Sequence, residues 1–206
     1  MALADGPFIG SEARASGIVR KHELRSRYRA IFPDVYMPRA AVPTLRQRAE
    51  AAWLWSNRNG VVAGLTAAGL HGAKWVDDAL PVELVLPNAR APEGLRTYRL
   101  RLDDDELRSV GGLPVTTPVR TAFDIGRRRP TVSTVAQMDA LFRATGINVG
   151  AVAAIAARHP GGAGSSSARH GAKSGRSRRP VTEGDLAATA AHRRGISASA
   201  YADPGA

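Results

Sequence analysis

The chain has 206 residues and a formal net charge of +11 at pH 7, with 44% hydrophobic and 23% charged residues. It contains no cysteine, which excludes disulfide bonds and thiolate metal sites. The hydrophobic content is that of a globular protein, and the positive charge favours partners with dense negative charge, above all nucleic acid. A GC-rich coding sequence, which favours arginine over lysine, is the alternative explanation of the charge.

The apolar pattern bears on the location of the protein. The longest apolar stretches, residues 61–70 and 149–157, are too short to span a bilayer. The N-terminus lacks the basic start and apolar run of a signal peptide. We therefore expect a cytoplasmic protein with no membrane association.

The first part of the chain is strongly basic. Residues 14–48 hold nine arginines and lysines against only Glu23 and Asp34. A short helix is predicted at 19–28, and the alternation at 31–38 predicts a strand pair like the wing of a DNA-binding module. The cations of this helix are candidate DNA phosphate contacts, with a solvated helix face as the alternative: Arg20, Lys21, Arg25 and Arg27.

The next part of the chain mixes short strands with helices. Thr44 and Gln47 form a capping-box pattern that begins a helix, and Thr117 and Asn148 mark the starts of two later helices. Further helices are predicted at 65–71 and 133–145, and strands at 81–87, 96–102 and 113–116. The predicted fold class is α+β: a small basic module with partial winged-helix character at 1–43, followed by a mixed α+β domain at 44–158.

Residues 159–206 differ in composition from the rest of the chain. They are rich in glycine, serine, alanine and arginine, with almost no bulky apolar side chains. Such a segment buries too little apolar surface to offset the entropy of ordering it, about 1–2 kcal/mol per residue for the backbone alone. We predict a disordered tail with a weak helix at 183–193.

One polar cluster in the α+β domain could be catalytic or structural. Arg120 and Asp124 lie four residues apart on one helix face and can form an ion pair, close to Thr116 and Thr121. We favour a structural role, in which the cluster locks the start of a helix to the preceding strand. His71 lies in an apolar helix, and a hydrogen-bonded core histidine is favoured over a catalytic base.

Other charged groups are interpreted as surface features. The acidic run at 103–106 could bind a cation, but a solvated loop or a helix N-terminus is the favoured interpretation. Arg99, Arg101 and the basic run at 127–129 are interpreted as surface charge. Because no nucleophile–base pair or metal-ligand cluster is evident, we expect no catalytic residues, no bound metal, no cofactor and no enzymatic activity.

Four stretches of the chain, in this order, resemble the AbiEi-type antitoxins and regulators of type IV toxin–antitoxin systems. They are Gly17-Ile-Val-Arg-Lys-His-Glu-Leu24, Asp34-Val-Tyr-Met-Pro38, Gly64-Leu-Thr-Ala-Ala-Gly-Leu-His-Gly72 and Val115-Thr-Thr-Pro-Val-Arg-Thr-Ala-Phe-Asp124. The resemblance covers about residues 10–160. It implies an N-terminal winged helix-turn-helix that binds operator DNA, a cognate toxin as a partner, and a structural role for His71 and the cluster around Arg120.

The actinobacterial relatives in this family add a C-terminal domain similar to the very-short-patch repair endonuclease. The carboxylates of such a domain are missing here, since residues 159–206 contain only Glu183, Asp185 and Asp203. One permissible set of codons for residues 180–197, read one base downstream, encodes an amphipathic helix similar to the start of that domain. This favours the hypothesis that the tail is translated out of frame.

Three functions follow as expectations. The first is a non-catalytic, DNA-binding antitoxin-like or transcriptional regulatory protein. The second is an inactive remnant of an endonuclease-domain protein. The third is an antitoxin that acts by protein–protein contact with a toxin. The sequence does not identify the DNA target or the oligomeric state.

Overall fold

A computed structural model describes residues 6–74, 76–77, 80–87, 90–127 and 132–160. The fold is mixed α+β, as predicted, with two sheets and seven α-helices in this part of the chain. The predictions for residues 161–206, a disordered and out-of-frame tail, lie outside the described residues, as do Arg128 and Arg129.

The first sheet belongs to the basic N-terminal part. Its order is β1-β3-β2, and both strand pairs are antiparallel. Two short helices lie between β1 and the β2–β3 hairpin, so the predicted single basic helix is in fact the second of a pair. The elements are β1 (Phe8–Ile9), α1 (Gly10–Ala15), α2 (Lys21–Arg27), β2 (Tyr28–Phe32) and β3 (Val35–Pro38).

The second sheet has five strands in the order β6-β5-β4-β8-β7. β4 pairs parallel with β8 and β5 with β6, whereas the β4–β5 and β7–β8 pairs are antiparallel. The elements up to this sheet's last strand are α3 (Leu45–Trp55), β4 (Val61–Val62), α4 (Gly64–Leu70), β5 (Val82–Val85), β6 (Leu95–Tyr98), a 3-10 helix (Asp104–Glu106), β7 (Leu107–Val110) and β8 (Leu113–Thr116). Three helices follow, α5 (Pro118–Gly126), α6 (Val132–Thr145) and α7 (Val149–Arg158).

The predicted helix starts are confirmed by their capping bonds. The Thr44 hydroxyl accepts from the Gln47 amide at 3.2 Å, and the Gln47 side chain accepts from the Thr44 amide at 3.0 Å. Thr117 caps α5, and Asn148 caps α7 by accepting from the Ala151 amide at 2.9 Å.

The strand predictions differ from the structure in two places. The predicted strand at 96–102 ends early, because β6 pairs with β5 only as far as Tyr98. The strand predicted at 81–87 is shorter and buried on both faces, since Val82, Leu84, Val85 and also Glu83 are all buried. Alternation identifies a half-buried strand, so it describes this interior strand poorly.

One hydrophobic core joins the two sheets. Ile9, Phe32 and Val35 from the first sheet belong to the same buried cluster as Ala52 on α3 and Leu84 on β5. Helix α3 contacts strands of both sheets, so the boundary drawn at residue 43 separates two parts that share their packing.

No single described helix is long and apolar enough to cross a membrane. Residues 133–145 and 149–158 reach the necessary length and hydropathy only together, and they form a pair bent by 111°.

Candidate nucleic-acid interface

Helix α2 presents its basic side chains to solvent. Leu24 is buried against Ala13 and Val19 and fixes which face of the helix points inward. The four candidate DNA contacts, Arg20, Lys21, Arg25 and Arg27, are all exposed. The guanidinium of Arg27 lies 3.6 Å from the half-buried carboxylate of Glu23, and an ion pair at the surface contributes little stability.

A tight turn sets α2 against α1. Gly17 has φ +71°, a left-handed conformation that glycine adopts without steric cost. The amides of Ile18 and Val19 both donate to the Ala13 carbonyl, at 3.0 and 3.2 Å. At the start of α2 the Arg20 amide donates to the Glu23 carboxylate at 2.8 Å. The two helices are therefore joined by a hydrogen-bonded turn, as in helix-turn-helix modules.

The β2–β3 hairpin is fastened to the start of α1. Asp34, in the hairpin turn, accepts from the Ser11 amide at 3.0 Å and from the Ser11 hydroxyl at 2.5 Å. Gly10 donates its amide to the Asp34 carbonyl at 2.8 Å. A Cβ at Gly10 would lie 2.5 Å from the Tyr36 ring, so this close approach requires glycine. The hairpin and the helix pair form one unit.

A surface depression of about 450 Å³ lies between α2 and the hairpin. Its lining includes Lys21 and Arg25 together with three arginines that the sequence did not single out: Arg14 on α1, Arg29 on β2 and Arg39 after β3. They belong to the basic segment 14–48, but contiguous sequence does not show that they converge. Pairing of the strands brings them together.

The carboxylates near this depression are engaged elsewhere. Glu12 forms a two-pronged ion pair with Arg58, with both N–O distances 2.8 Å. The guanidinium of Arg58 holds the pKa of Glu12 below its ordinary value. Glu23 accepts from the Arg20 amide, which lowers the pKa of Glu23, and Asp34 caps α1 as described. The cations that line the depression therefore have no described carboxylate at ion-pair distance, whereas Arg27, outside the lining, lies 3.6 Å from Glu23.

The second group of predicted residues forms a buried ionic network. The Arg120 guanidinium, 2% exposed, donates to Glu106, which is fully buried, and to Asp124 at 3.0 Å. Arg127 reaches the other oxygen of Asp124 at 3.2 Å. The Arg120–Asp124 pair matches the spacing noted in the sequence. The acidic run at 103–106 was interpreted as a solvated loop or a helix N-terminus, and it does begin a 3-10 helix, but Glu106 at the end of that helix is buried against the Arg120 guanidinium.

The two threonines and His71 complete the link between strand and helix. The Thr116 and Thr121 hydroxyls lie 2.8 Å apart, and Nε2 of His71 is 2.7 Å from the Thr116 carbonyl oxygen. Burial lowers the pKa of His71, so the ring is neutral near pH 7 and donates this bond. The structure thus places His71, Thr116, Arg120, Thr121 and Asp124 around the β8–α5 junction.

The 3-10 helix brings together a set of metal-ligand types. One ligand atom each from Asp103, Glu106 and His159 lie within 4.8 Å of one another. These groups already have partners: the His159 ring nitrogen lies 2.6 Å from a Glu106 carboxylate oxygen, and Arg158 donates to Asp103 at 3.0 Å. The group therefore serves to hold the end of α7. His159, predicted to belong to the tail, is part of it.

The remaining basic candidates are dispersed. Arg99 is exposed, Arg101 lies 3.6 Å from Asp103, and Arg127 packs over the Phe123 ring at 5.5 Å as well as pairing with Asp124. These side chains form no second basic surface in the part of the chain that the structure describes.

No protein-family model matches the chain. No curated protein matches it either.

Proposed function

We propose that this protein binds double-stranded DNA through its N-terminal helix pair and hairpin and acts without catalysis, as an antitoxin-like or transcriptional regulatory protein. The observation that carries the proposal is the exposed row of four cations on α2, of which only Arg27 lies at ion-pair distance from a described carboxylate.

The geometry of α2 suits a DNA groove. An α-helix with its side chains is about 10–12 Å across, which the major groove of B-DNA, about 12 Å wide, admits, and the seven residues of α2 extend about 10 Å along the helix axis. Leu24 turns one face inward, so Lys21, His22 and Arg25 face outward together. In helix-turn-helix proteins the second helix enters the major groove with the N-terminal residues near the bases, and here the N-terminal turn is basic.

The hairpin and strand order support the same proposal. A helix pair followed by an antiparallel hairpin, with the first strand pairing with β3, is the order of elements in winged-helix modules. Arg29 and Arg39 place positive charge along the hairpin beside α2. Such charge binds DNA phosphates independently of sequence.

The absence of catalysis is supported by how the reactive groups are used. Glu106, Asp124 and Arg120 neutralise one another in the interior, and His71 is held on a backbone carbonyl. These four residues, which form the polar cluster of the α+β part, are thus engaged in holding the fold.

The test removes the charge of α2. We expect the fourfold alanine variant at Arg20, Lys21, Arg25 and Arg27 to lose retention on mixed-sequence duplex DNA at low salt, measured by filter binding. A matched control replaces four exposed arginines elsewhere, at Arg90, Arg99, Arg108 and Arg143, and lowers the net charge equally. Loss in the α2 variant but not in the control supports the proposal, and equal retention of both would refute it.

A further inference from the structure

The depression between α2 and the hairpin has the composition of an anion site. Five of its nine lining residues are cations, and none of the nine is acidic. The cations come from four places in the chain: Arg14, Lys21 and Arg25, Arg29, and Arg39. Within the described residues no carboxylate lies at ion-pair distance from any of the five. Their mutual repulsion in the free protein is reduced when an anion binds among them.

Two of these arginines are held in place before any ligand arrives. One guanidinium nitrogen of Arg39 donates to the Arg25 carbonyl at 2.7 Å and to the Tyr28 carbonyl at 3.3 Å. The Arg29 guanidinium donates to the Ala41 carbonyl at 2.8 Å. Carbonyl partners fix the side chains without neutralising their charge. An anion therefore meets ordered donors, and less conformational entropy is lost on binding.

The floor of the depression is aromatic and rigid. Tyr28 and Tyr36 line it and are half-buried. Phe8 packs edge-on against Tyr28 at 5.0 Å and stacks on Tyr36 at 6.1 Å. The three rings fix the separation of α2 from the hairpin, so the spacing of the cations around the depression is set by packing.

We propose that this depression seats one backbone phosphate of duplex DNA and fixes the position of α2 on the duplex independently of base sequence. This inference rests on the proposed function. It assigns Arg14, Arg29 and Arg39 to the phosphate. The outer edge of α2, with His22 and Ser26, is then free to contact the bases. Arginine suits this role because its guanidinium offers several donors to phosphate oxygens. A phosphate contact carries no sequence information, whereas base-edge contacts do.

The test compares Arg14→Ala/Arg29→Ala with the charge-matched control Arg99→Ala/Arg108→Ala on several duplexes of unrelated sequence, at salt concentrations from 50 to 200 mM. Loss of one phosphate contact reduces the slope of log affinity against log salt by about 1. The fall in affinity across this range should then be about fourfold smaller than for the control, and the loss at fixed salt should be the same for every duplex.

Loss confined to some duplexes, or an unchanged slope, would overturn the phosphate assignment. If the α2 fourfold variant still loses retention, DNA binding itself survives that result. Arg29→Ala also removes a hydrogen bond to a backbone carbonyl. A second variant, Arg14→Glu with Arg99→Glu as control, therefore tests phosphate binding in the depression without removing a hydrogen bond that the described structure contains.

A free phosphorylated ligand offers the same phosphate oxygens as the DNA backbone, so a separate experiment distinguishes the two. ATP and inorganic pyrophosphate are titrated against the full chain without DNA, by calorimetry. If the depression binds a phosphate of the DNA backbone, both free ligands should bind weakly and should be displaced easily by salt. Micromolar binding of either, abolished in Arg14→Ala/Arg29→Ala while DNA affinity and slope are unchanged, would reassign the depression to a free ligand.

Discussion

Arg120 is the residue on which the interior of the α+β part depends most. Its guanidinium compensates two buried carboxylates, Glu106 and Asp124. A buried ion pair of this kind adds little net stability compared with apolar packing, but removal of one partner leaves the others without compensation. The cluster therefore makes the β8–α5 junction sensitive to single substitutions.

We predict that Arg120→Met lowers the free energy of unfolding by about 3–5 kcal/mol, because two buried carboxylates lose the cation that they share and keep only their partners at the edge of the cluster, Arg127 and His159. The matched control is Arg143→Met, which removes an arginine with the same i, i+4 carboxylate spacing, to Asp139, but 82% exposed. That change should cost at most about 0.5 kcal/mol. Urea unfolding measures both values, and equal losses would contradict the assigned role.

His71 makes stability depend on pH. Burial lowers the pKa of His71 in the folded state, so the unfolded chain binds the proton more readily. Stability from this group is therefore complete above the ordinary histidine pKa and is lost as pH falls through it towards the lowered folded-state value. We predict that wild type loses more stability than His71→Gln between pH 7 and pH 5, by urea unfolding at each pH. A parallel decline in both proteins would contradict this.

Sequence spacing reveals local pairs but not distant partners. The Arg120–Asp124 pair follows from four-residue spacing on one helix face, and the structure contains it. Glu106 is fourteen residues away on another element, and its burial depends on the 3-10 helix that turns it inward. Arg14, Arg29 and Arg39 meet for the same reason, through strand pairing that composition does not encode.

Among the elements, α3 has the central structural role. It packs against strands of both sheets, and Ala49, Ala51 and Ala52 are completely buried, so small side chains allow close approach. Its Arg46 and Arg48 side chains donate to backbone carbonyls of Gly111 and Leu80, respectively. The helix thereby connects the β7–β8 turn and the segment before β5 to the basic part.

The cap of α3 should therefore affect the whole fold. We predict that Thr44→Ala lowers the free energy of unfolding by about 1 kcal/mol, because the Gln47 amide loses its acceptor. Thr44→Ser keeps the hydroxyl and should retain most of the stability. Urea unfolding of both variants tests this, and equal destabilisation by alanine and serine would assign the effect to the lost methyl group.

Among the features of the elements, the starts of helices are the ones that the sequence predicts best here. Thr44, Thr117 and Asn148 all cap the helices they were predicted to begin, because capping is a local interaction. Strand limits depend on neighbours instead. β6 ends where β5 stops pairing with it, and β1, only two residues long, exists because β3 lies beside it.

At the scale of the whole molecule, the basic N-terminal part and the α+β part are joined by packing and by an ion pair. The basic helix pair and hairpin share one core with the α+β part through Ile9, Phe32 and Val35. Arg58, at φ +65° after α3, adds an ion pair to Glu12 on α1. The α+β part thus holds the basic surface in a defined orientation, which the proposed DNA binding would require because a helix enters a groove at a fixed angle.

Chemical-shift mapping tests the central claim most directly. Mixed-sequence duplex DNA is titrated into ¹⁵N-labelled protein at low salt, and amide shifts are followed residue by residue. We predict that the largest changes lie in α1, α2 and the β2–β3 hairpin, including Arg14, Arg29 and Arg39, and that α6 and α7 remain unchanged. Changes centred on α6 and α7, or none at saturating DNA, would contradict the account.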